Sequence, residues 1–551
     1  MATVVRVLCA GLILGLGMTS AQAQTPPSPS SVQEQQRQSQ EYIDLQKRLR
    51  EPPPAAPEVI DKTQRPAPGA PEGDVRIRVN QIVASDSRIL KNEEIRIVTS
   101  RYEGREVGIA ELFSMVDEIN ALYKAKGCLT CRAFLPAQTV EDGKIEVRLV
   151  EAKAQELQIE GNASTSANFL KRRISTRPGD LFDVGRVTRD LGRINATTDL
   201  QTAVELKPGS QPGTVVPLLR VAEPVRYGLT LFTDNAGPET VGEYRMGLSF
   251  TNASVFGLRD AFSLSIYGAQ GTAALLTSYS VPVHPSGTRI GLAFDYSRIK
   301  VIRGPFEPLD INGDSHRVGL DLTQPLIAKT ALRVNALAQI TSRHSVTNFG
   351  DVKFSELDVL SAGLGFDLQS FNERGVWYTR NIFTMGSGDS GAKRDFSRFN
   401  ADVYRVQTFT PAVSARFRFS MQWSGSHPLP STEQFQAGGV ATVRGYREGL
   451  LAADEGGLLG AELEFPVASD ALPTWLRVRG FGFLDTGCVV QVRNGEHSVH
   501  AGDCLYGTGG GVSFAIGNRL TGKLSLGVPL RKPAGYEDDW RIDFSLQALL
   551  F

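Results

Sequence analysis

Val413-Ser414-Ala415-Arg416-Phe417-Arg418-Phe419-Ser420-Met421-Gln422-Trp423 alternates apolar and polar residues without a break. Val413, Ala415, Phe417, Phe419, Met421 and Trp423 share one face, and Ser414, Arg416, Arg418, Ser420 and Gln422 share the other. A period of two is the period of a β-strand. A strand about ten residues long with an unbroken apolar face and arginines opposite suits lipid on one side and water on the other. Leu332–Thr341 and Trp540–Ala548 carry the same pattern.

About sixteen such segments follow one another between Val225 and Phe551. Some connections are short (His284–Gly287, Ala328-Lys329, Asn372–Gly375, Gly517-Asn518), and those of the opposite parity are often longer (Val301–Gly313, Ser424–Glu455, Val489–Asp503). Short turns on one rim and long loops on the other are expected of an outer-membrane barrel. The pattern therefore predicts a transmembrane β-barrel of about 16 antiparallel strands over residues 225–551. A secreted β-sandwich array or β-helix fits less well, because the polar face carries Arg and Asp at every level.

The chain before the barrel is different. Residues 1–23 have the form of a signal peptide, with Arg6, the apolar run Val7–Met18 and Ala21-Gln22-Ala23 before Gln24. Residues 24–50 contain a polar stretch without Gly or Pro after Ser30, which predicts a helix. Its few apolar residues cannot dock into an ordinary core, so it is either disordered or seated in a hydrated cavity. Residues 51–74 are Pro-rich and read as an extended linker. Residues 75–152 and 153–224 read as two consecutive small α+β modules. Helical spacing over Ile109, Leu112, Val116, Ile119 and Tyr123 precedes alternation at Ile145, Val147 and Leu149. Helices over Asn168–Ile174 and Val184–Ile194 precede a hairpin around Pro208–Gly213. Sheet edges in such modules can accept an extended peptide.

Composition removes other classes. The 551 residues hold 59 Lys+Arg and 59 Asp+Glu. This balance makes no electrostatic case for nucleic acid. The six His fall on turns, barrel ends or loops, and no cofactor or metal site is expected. His497-x-x-His500 alone is an incidental pair, and no catalytic triad is organised, so an enzyme is not expected.

The long connection Ser424–Glu455 contains Val443-Arg444-Gly445-Tyr446, and Phe483-Leu484-Asp485-Thr486-Gly487 follows about forty residues later. Strand parity places Asp485 on the lumen face with Arg477, Arg479, Phe481 and Phe483. A lumenal carboxylate needs a partner or water, and a loop arginine folded inward can supply one bidentately. Gly445 lets the loop turn tightly beside Arg444.

Together these stretches resemble the paired loop and barrel-wall motifs of the BamA-like superfamily of outer-membrane assembly and secretion barrels. Two POTRA-like modules after a Pro-rich linker and a polar helix narrow the resemblance to the transporters of two-partner secretion, the haemolysin and filamentous-haemagglutinin type. Gly127–Gln138, with Arg132, Leu135-Pro136 and Gln138, is similar to their first POTRA module. Cys128 and Cys131 depart from it, and Phe551 is out of parity with the alternation ending at Ala548. The resemblance implies a plug helix in the lumen and a loop tether of Val443, Arg444, Gly445 and Tyr446 against Phe483, Asp485 and Gly487. It also implies periplasmic POTRA modules that bind the N-terminal secretion domain of an unfolded exoprotein. Transport would be ATP-independent, and the chain's own insertion into outer-membrane lipid would use the barrel assembly machinery. The alternatives are an assembly factor for other barrels, or a passive porin or surface adhesin.

Four Cys follow the signal segment. Cys488 and Cys504 bracket a loop, and in an oxidising compartment they are a candidate disulfide worth roughly 3 kcal/mol. Cys128-Leu129-Thr130-Cys131 lies between a helix and a strand, unlike a thioredoxin-type redox motif. A local bridge and two free thiols both stay open there.

Overall fold

The structure, a computed structural model, describes residues 28–49, 55–62, 76–128, 130–389, 393–425, 428–467, 472–493, 496–498 and 503–551. The signal segment lies outside them. The chain divides into two units: Pro54–Pro224, and a second that joins helix α1 (Pro29–Arg48) to Val225–Phe551.

The first unit opens with β1 (Glu58–Asp61). A first module follows: β2 (Arg76–Val79), β3 (Gln81–Ala84), α2 (Asn92–Thr99), β4 (Arg105–Gly108), α3 (Ile109–Ala125), β5 (Cys131–Phe134) and β6 (Lys144–Glu151). Helix α3 buries Leu112, Val116, Ile119 and Tyr123 of the stripe that its spacing predicts, together with Met115, while Ile109 at its first position stays half-buried. They share a core with Ile145 and Val147 of the sheet β3-β6-β5. Tyr123 reaches Ser87 and Glu151 through its hydroxyl, which burial pushes up to about 12. Cys128 and Cys131 are bonded, with their Cα atoms 5.5 Å apart because the chain turns between α3 and β5.

The second module comprises β7 (Lys153–Ala154), β8 (Gln158–Glu160), α4 (Ala167–Lys171), α5 (Val184–Thr197), β9 (Gln201–Pro208) and β10 (Thr214–Ala222). Asp183 caps α5 by accepting the Arg186 N–H at 3.0 Å. Val187, Leu191 and Ile194 bury its apolar face. Strand β1 pairs in parallel with β9, from Glu58 opposite Ala203 to Asp61 opposite Leu206. The expected linker thus contains a strand that covers a sheet edge. Pro57 stands just before this strand and Val59-Ile60 are β-branched, a sequence suited to an edge.

The second unit is a closed barrel of sixteen antiparallel strands. In order they are β11 (Tyr227–Asp234), β12 (Arg245–Asn252), β13 (Ala261–Ala269), β14 (Thr272–Pro282), β15 (Arg289–Lys300), β16 (Ile311–Ala328), β17 (Leu332–Phe349) and β18 (Val352–Asn372). Then come β19 (Gly375–Asp389), β20 (Lys393–Thr408) and β21 (Ser414–Trp423). After the long loop, β24 (Glu455–Pro466), β25 (Leu476–Arg493), β27 (Cys504–Ile516), β28 (Leu520–Pro529) and β29 (Arg541–Leu549) complete the wall. Short strands β22 (Phe435–Ala437), β23 (Leu451–Ala453) and β26 (Glu496–Ser498) lie in its connections. Strand β29 closes on β11, from Thr230 opposite Leu549 to Asp234 opposite Ser545.

Alternation decides which way each residue points. Leu320, Ile340, Leu364, Phe417, Leu463 and Leu484 are exposed on the outside, while Arg343, Arg418, Glu462 and Asp485 are buried inside. Two connections on the long-loop rim, residues 270–271 and 350–351, are tight turns rather than long loops. At the C-terminus, Leu229 opposes two residues. Its carbonyl accepts the Leu550 N–H at 2.7 Å and its N–H donates to the Phe551 carbonyl at 3.0 Å. This is the two-against-one arrangement of a β-bulge and accounts for the parity of Phe551.

Candidate functional site in the barrel lumen

Helix α1 lies inside the barrel. Its polar residues Gln33, Glu34, Gln36 and Ser39 are buried although it has almost no apolar face. The lumen wall is polar, so Gln33, Glu34 and the Gln36 carbonyl each find a partner. Ser315 donates its hydroxyl to Gln33 Oε1 at 2.8 Å, Tyr267 donates to Gln36 Oε1 at 2.8 Å, and Arg343 Nη2 reaches Glu34 Oε2 at 2.6 Å. Val32 adds an apolar contact with Val241, Ile299, Val301 and Ile311. Beside the C-terminal half of the helix a cavity of about 1080 Å³ remains, bounded among others by Tyr42, Leu49, Arg416, Arg444, Lys523 and Ser545.

Residues 428–454 of the long connection fold back into the same lumen and reach α1, where Gln436 Nε2 donates to the Ser31 carbonyl at 3.4 Å. Arg444 meets Asp485 bidentately: Nε to Oδ2 is 2.7 Å and Nη2 to Oδ1 is 3.1 Å, and the Arg444 N–H adds a third bond at 3.2 Å. Asp485 is 1% exposed. The guanidinium stands 3.7 Å from the Phe483 ring centroid. Val443 is fully buried, and Gly487 makes room for it, because a Cβ there would meet Val443 Cγ2 at 2.8 Å. Gly445 has φ +93°, in the left-handed region that favours glycine. The Tyr446 hydroxyl donates to the Arg531 carbonyl at 2.5 Å and accepts the Tyr506 N–H at 3.1 Å. The structure therefore brings Val443, Arg444, Gly445 and Tyr446 together with Phe483, Asp485 and Gly487 in one cluster. Cys488 and Cys504 stand opposite each other on β25 and β27 and are bonded, Sγ to Sγ 2.10 Å.

Several participants do not stand out in the sequence. Glu462 on β24 takes the second face of Arg444 through Nη1 and also binds Arg416 at 2.7 Å and Lys523 at 3.2 Å. Arg418 donates to the carbonyls of Ala441 and Thr442 and so holds the loop from β21. Only their position on lumen-facing alternation marks them in the sequence, and that does not tell which pair meets. Gly507 on β27 is a further element: a Cβ there would lie 2.0 Å from the Arg444 carbonyl. Gly507→Ala is expected to push the loop off the wall at a cost of about 1–3 kcal/mol. The check is trypsin cleavage within residues 424–454 in intact cells, expected to quicken about tenfold for each 1.4 kcal/mol. Gly482→Ala, whose Cβ meets nothing closer than 3.8 Å, should leave it unchanged.

Comparison with known proteins follows this architecture. The profile of the family described as haemolysin secretion/activation protein ShlB/FhaC/HecB matches residues 213–514, and that of the ShlB-type POTRA domain matches residues 77–152. The heme/hemopexin transporter protein HuxB of Haemophilus influenzae (strain 86-028NP) is 22% identical over 474 residues, covering 82% of this chain and 83% of its own. The outer membrane transporter CdiB of Escherichia coli O6:K15:H31 is 25% identical over 546 residues, 91% of this chain and 88% of its own. The solved structure of CdiB from Escherichia coli superposes with a TM-score of 0.68 at 21% identity, over 96% of this chain and 100% of that one. With a profile match over more than half its length, this chain belongs to the ShlB/FhaC/HecB family of haemolysin secretion/activation proteins, outer-membrane transporters of two-partner secretion.

Proposed function

We infer that this chain exports one large exoprotein, received unfolded in the periplasm, by removal of α1 from the lumen. The observation that carries this reading is the way α1 is held. A pore sealed permanently would be filled by an apolar core, whereas α1 is held mainly by polar side chains. Neutral hydrogen bonds contribute about 0.5–1.5 kcal/mol each and charged ones about 1.5–3, because water replaces them when they break. A polar plug can leave into water; a packed apolar one would expose its surface at about 25 cal/mol per Å².

The exoprotein's N-terminal secretion domain binds the POTRA modules by strand addition. The β9 edge is taken by β1, so an incoming strand replaces β1 there or uses the β5 edge of the first module. The sequence contains no G-x-x-x-x-G-K-[ST] stretch, in keeping with transport driven by folding at the cell surface rather than by ATP. Arg444 and Asp485 tether the loop while the helix moves, and the Cys488–Cys504 bridge secures the base of its outer connection. The apolar band contacts outer-membrane lipid, and the barrel assembly machinery inserts it.

The test is deletion of the gene with comparison of secreted and outer-membrane proteomes. One large exoprotein is expected to vanish from the medium with other barrels unchanged. A general fall in outer-membrane barrels would replace this reading with that of an assembly factor, and an unchanged secretome would leave a porin or adhesin.

A further inference from the structure

On the outer wall, far from the lumenal cluster, register alone gathers two histidines and two carboxylates. His316 on β16 stands opposite His344 on β17, and His344 stands opposite Asp358 on β18. Their neighbours show which way they face. Ser315 and Arg343 point inward, bonded to Gln33 and Glu34, and Val359 beside Asp358 is buried. Successive strand residues face opposite sides, so His316, His344 and Asp358 face outward, and so does Glu356, two residues from Asp358. His344 Nδ1 is 2.8 Å from Asp358 Oδ1 and its Nε2 is 3.8 Å from Glu356 Oε1. Donor atoms of His344, Glu356 and Asp358 all lie within 4.8 Å of one another, and the His316 and His344 ring centroids are 5.0 Å apart.

We propose that His316, His344, Glu356 and Asp358 form a binding site for one divalent first-row transition ion of the zinc class. Imidazole with carboxylate selects such an ion over Mg²⁺ or Ca²⁺, which take oxygen ligands. Two carboxylates balance its charge, and the imidazoles bind neutral. Tetrahedral bonds of 2.0–2.2 Å place donors roughly 3.4 Å apart, so the donors of His344, Glu356 and Asp358, now within 4.8 Å of one another, close by up to about 1.4 Å and His316 turns its ring to join them, through side-chain torsion without moving strands fixed by the ladder. Glu356 also pairs with Lys353 at 2.7 Å, but that contact is exposed and weakly held. The site lies on the long-loop side of the apolar band that begins with Val318 and Leu360. Strands β16, β17 and β18 have 18, 18 and 21 residues, more than the ~9–11 that span a bilayer. A bound ion staples three strands where the β17–β18 hairpin leaves the membrane.

The test uses the full chain in detergent, with any affinity tag cleaved and metal removed by chelation. Zn²⁺ is titrated calorimetrically and Co²⁺ by its visible absorption. One ion per chain is expected, with a tetrahedral Co²⁺ band. Loss of an outer partner alone costs 10–100-fold in metal affinity, so His344→Ala is expected to weaken binding about 100-fold or more. His316→Ala and Asp358→Asn are expected to weaken it at least tenfold, and they carry the test if His344→Ala fails to fold. His284→Ala, on a turn of the opposite rim, should bind as the parent does. Binding unchanged in His344→Ala and His316→Ala, or none at 100 μM Zn²⁺, overturns the proposal.

Discussion

Asp485→Asn is expected to release the loop of residues 424–454 and to reduce export at least tenfold, with the barrel still folded. Arg444 is buried and its bidentate partner is that one carboxylate. Breaking a buried ion pair from one side costs about 3–5 kcal/mol, because the remaining charge stays desolvated. Glu462 cannot take over fully, since it already serves Arg416 and Lys523. The wall itself survives, because residue 485 pairs with Gly460 and Gly507 through its backbone. The checks are exoprotein in the medium, trypsin sensitivity of the loop, and a heat-modifiable barrel band in electrophoresis. Normal export with a protease-sensitive loop would show the tether to be structural only. The swap Arg444→Asp with Asp485→Arg is expected to rescue only in part. The new Asp at 444 faces Glu462, and like charges at that distance repel in a low-dielectric site. Adding Glu462→Gln removes that repulsion but takes a carboxylate from Lys523, so it should raise the rescue further without completing it.

Linking α1 to the wall is expected to stop export almost completely. The proposed pair is Gln33→Cys with Ser315→Cys, whose native side chains meet at 2.8 Å, joined by a short bis-methanethiosulfonate, which forms a disulfide with each thiol as sulfinate leaves and is cleaved by reductant. Export should fall below about a tenth of the parent level and return on reduction, since a helix confined to the lumen blocks the path that the 1080 Å³ cavity begins. Gln33→Cys alone, treated identically, is the control, and the parent chain under reductant controls for the native bridges Cys128–Cys131 and Cys488–Cys504. Undiminished export through fully linked barrels would remove α1 from the mechanism.

Much of this was legible in the residues. The two-residue period of Val413–Trp423 is a local property, because a strand between lipid and water must alternate whatever its neighbours are. The stripe of α3 and the polarity of α1 are local in the same sense. Val443–Tyr446 and Phe483–Gly487 were legible as a pair through family resemblance, and parity placed Asp485 on the lumen side. Alternation says which face a residue takes but not which strand lies beside it. Pairing of β1 with β9, the third carboxylate Glu462 around Arg444, and the room that Gly487 and Gly507 leave for the loop all depend on contacts between distant segments. His316, His344 and Asp358 read separately as scattered barrel residues with no metal spacing, and register alone sets them side by side. A lipid-facing barrel, two α+β modules and a helix with few apolar residues could be read from the chain alone, because periodicity and polarity reside in neighbouring residues. Which charges meet, which edge is covered and what fills the lumen follow instead from strand register and barrel closure, which bring distant segments together.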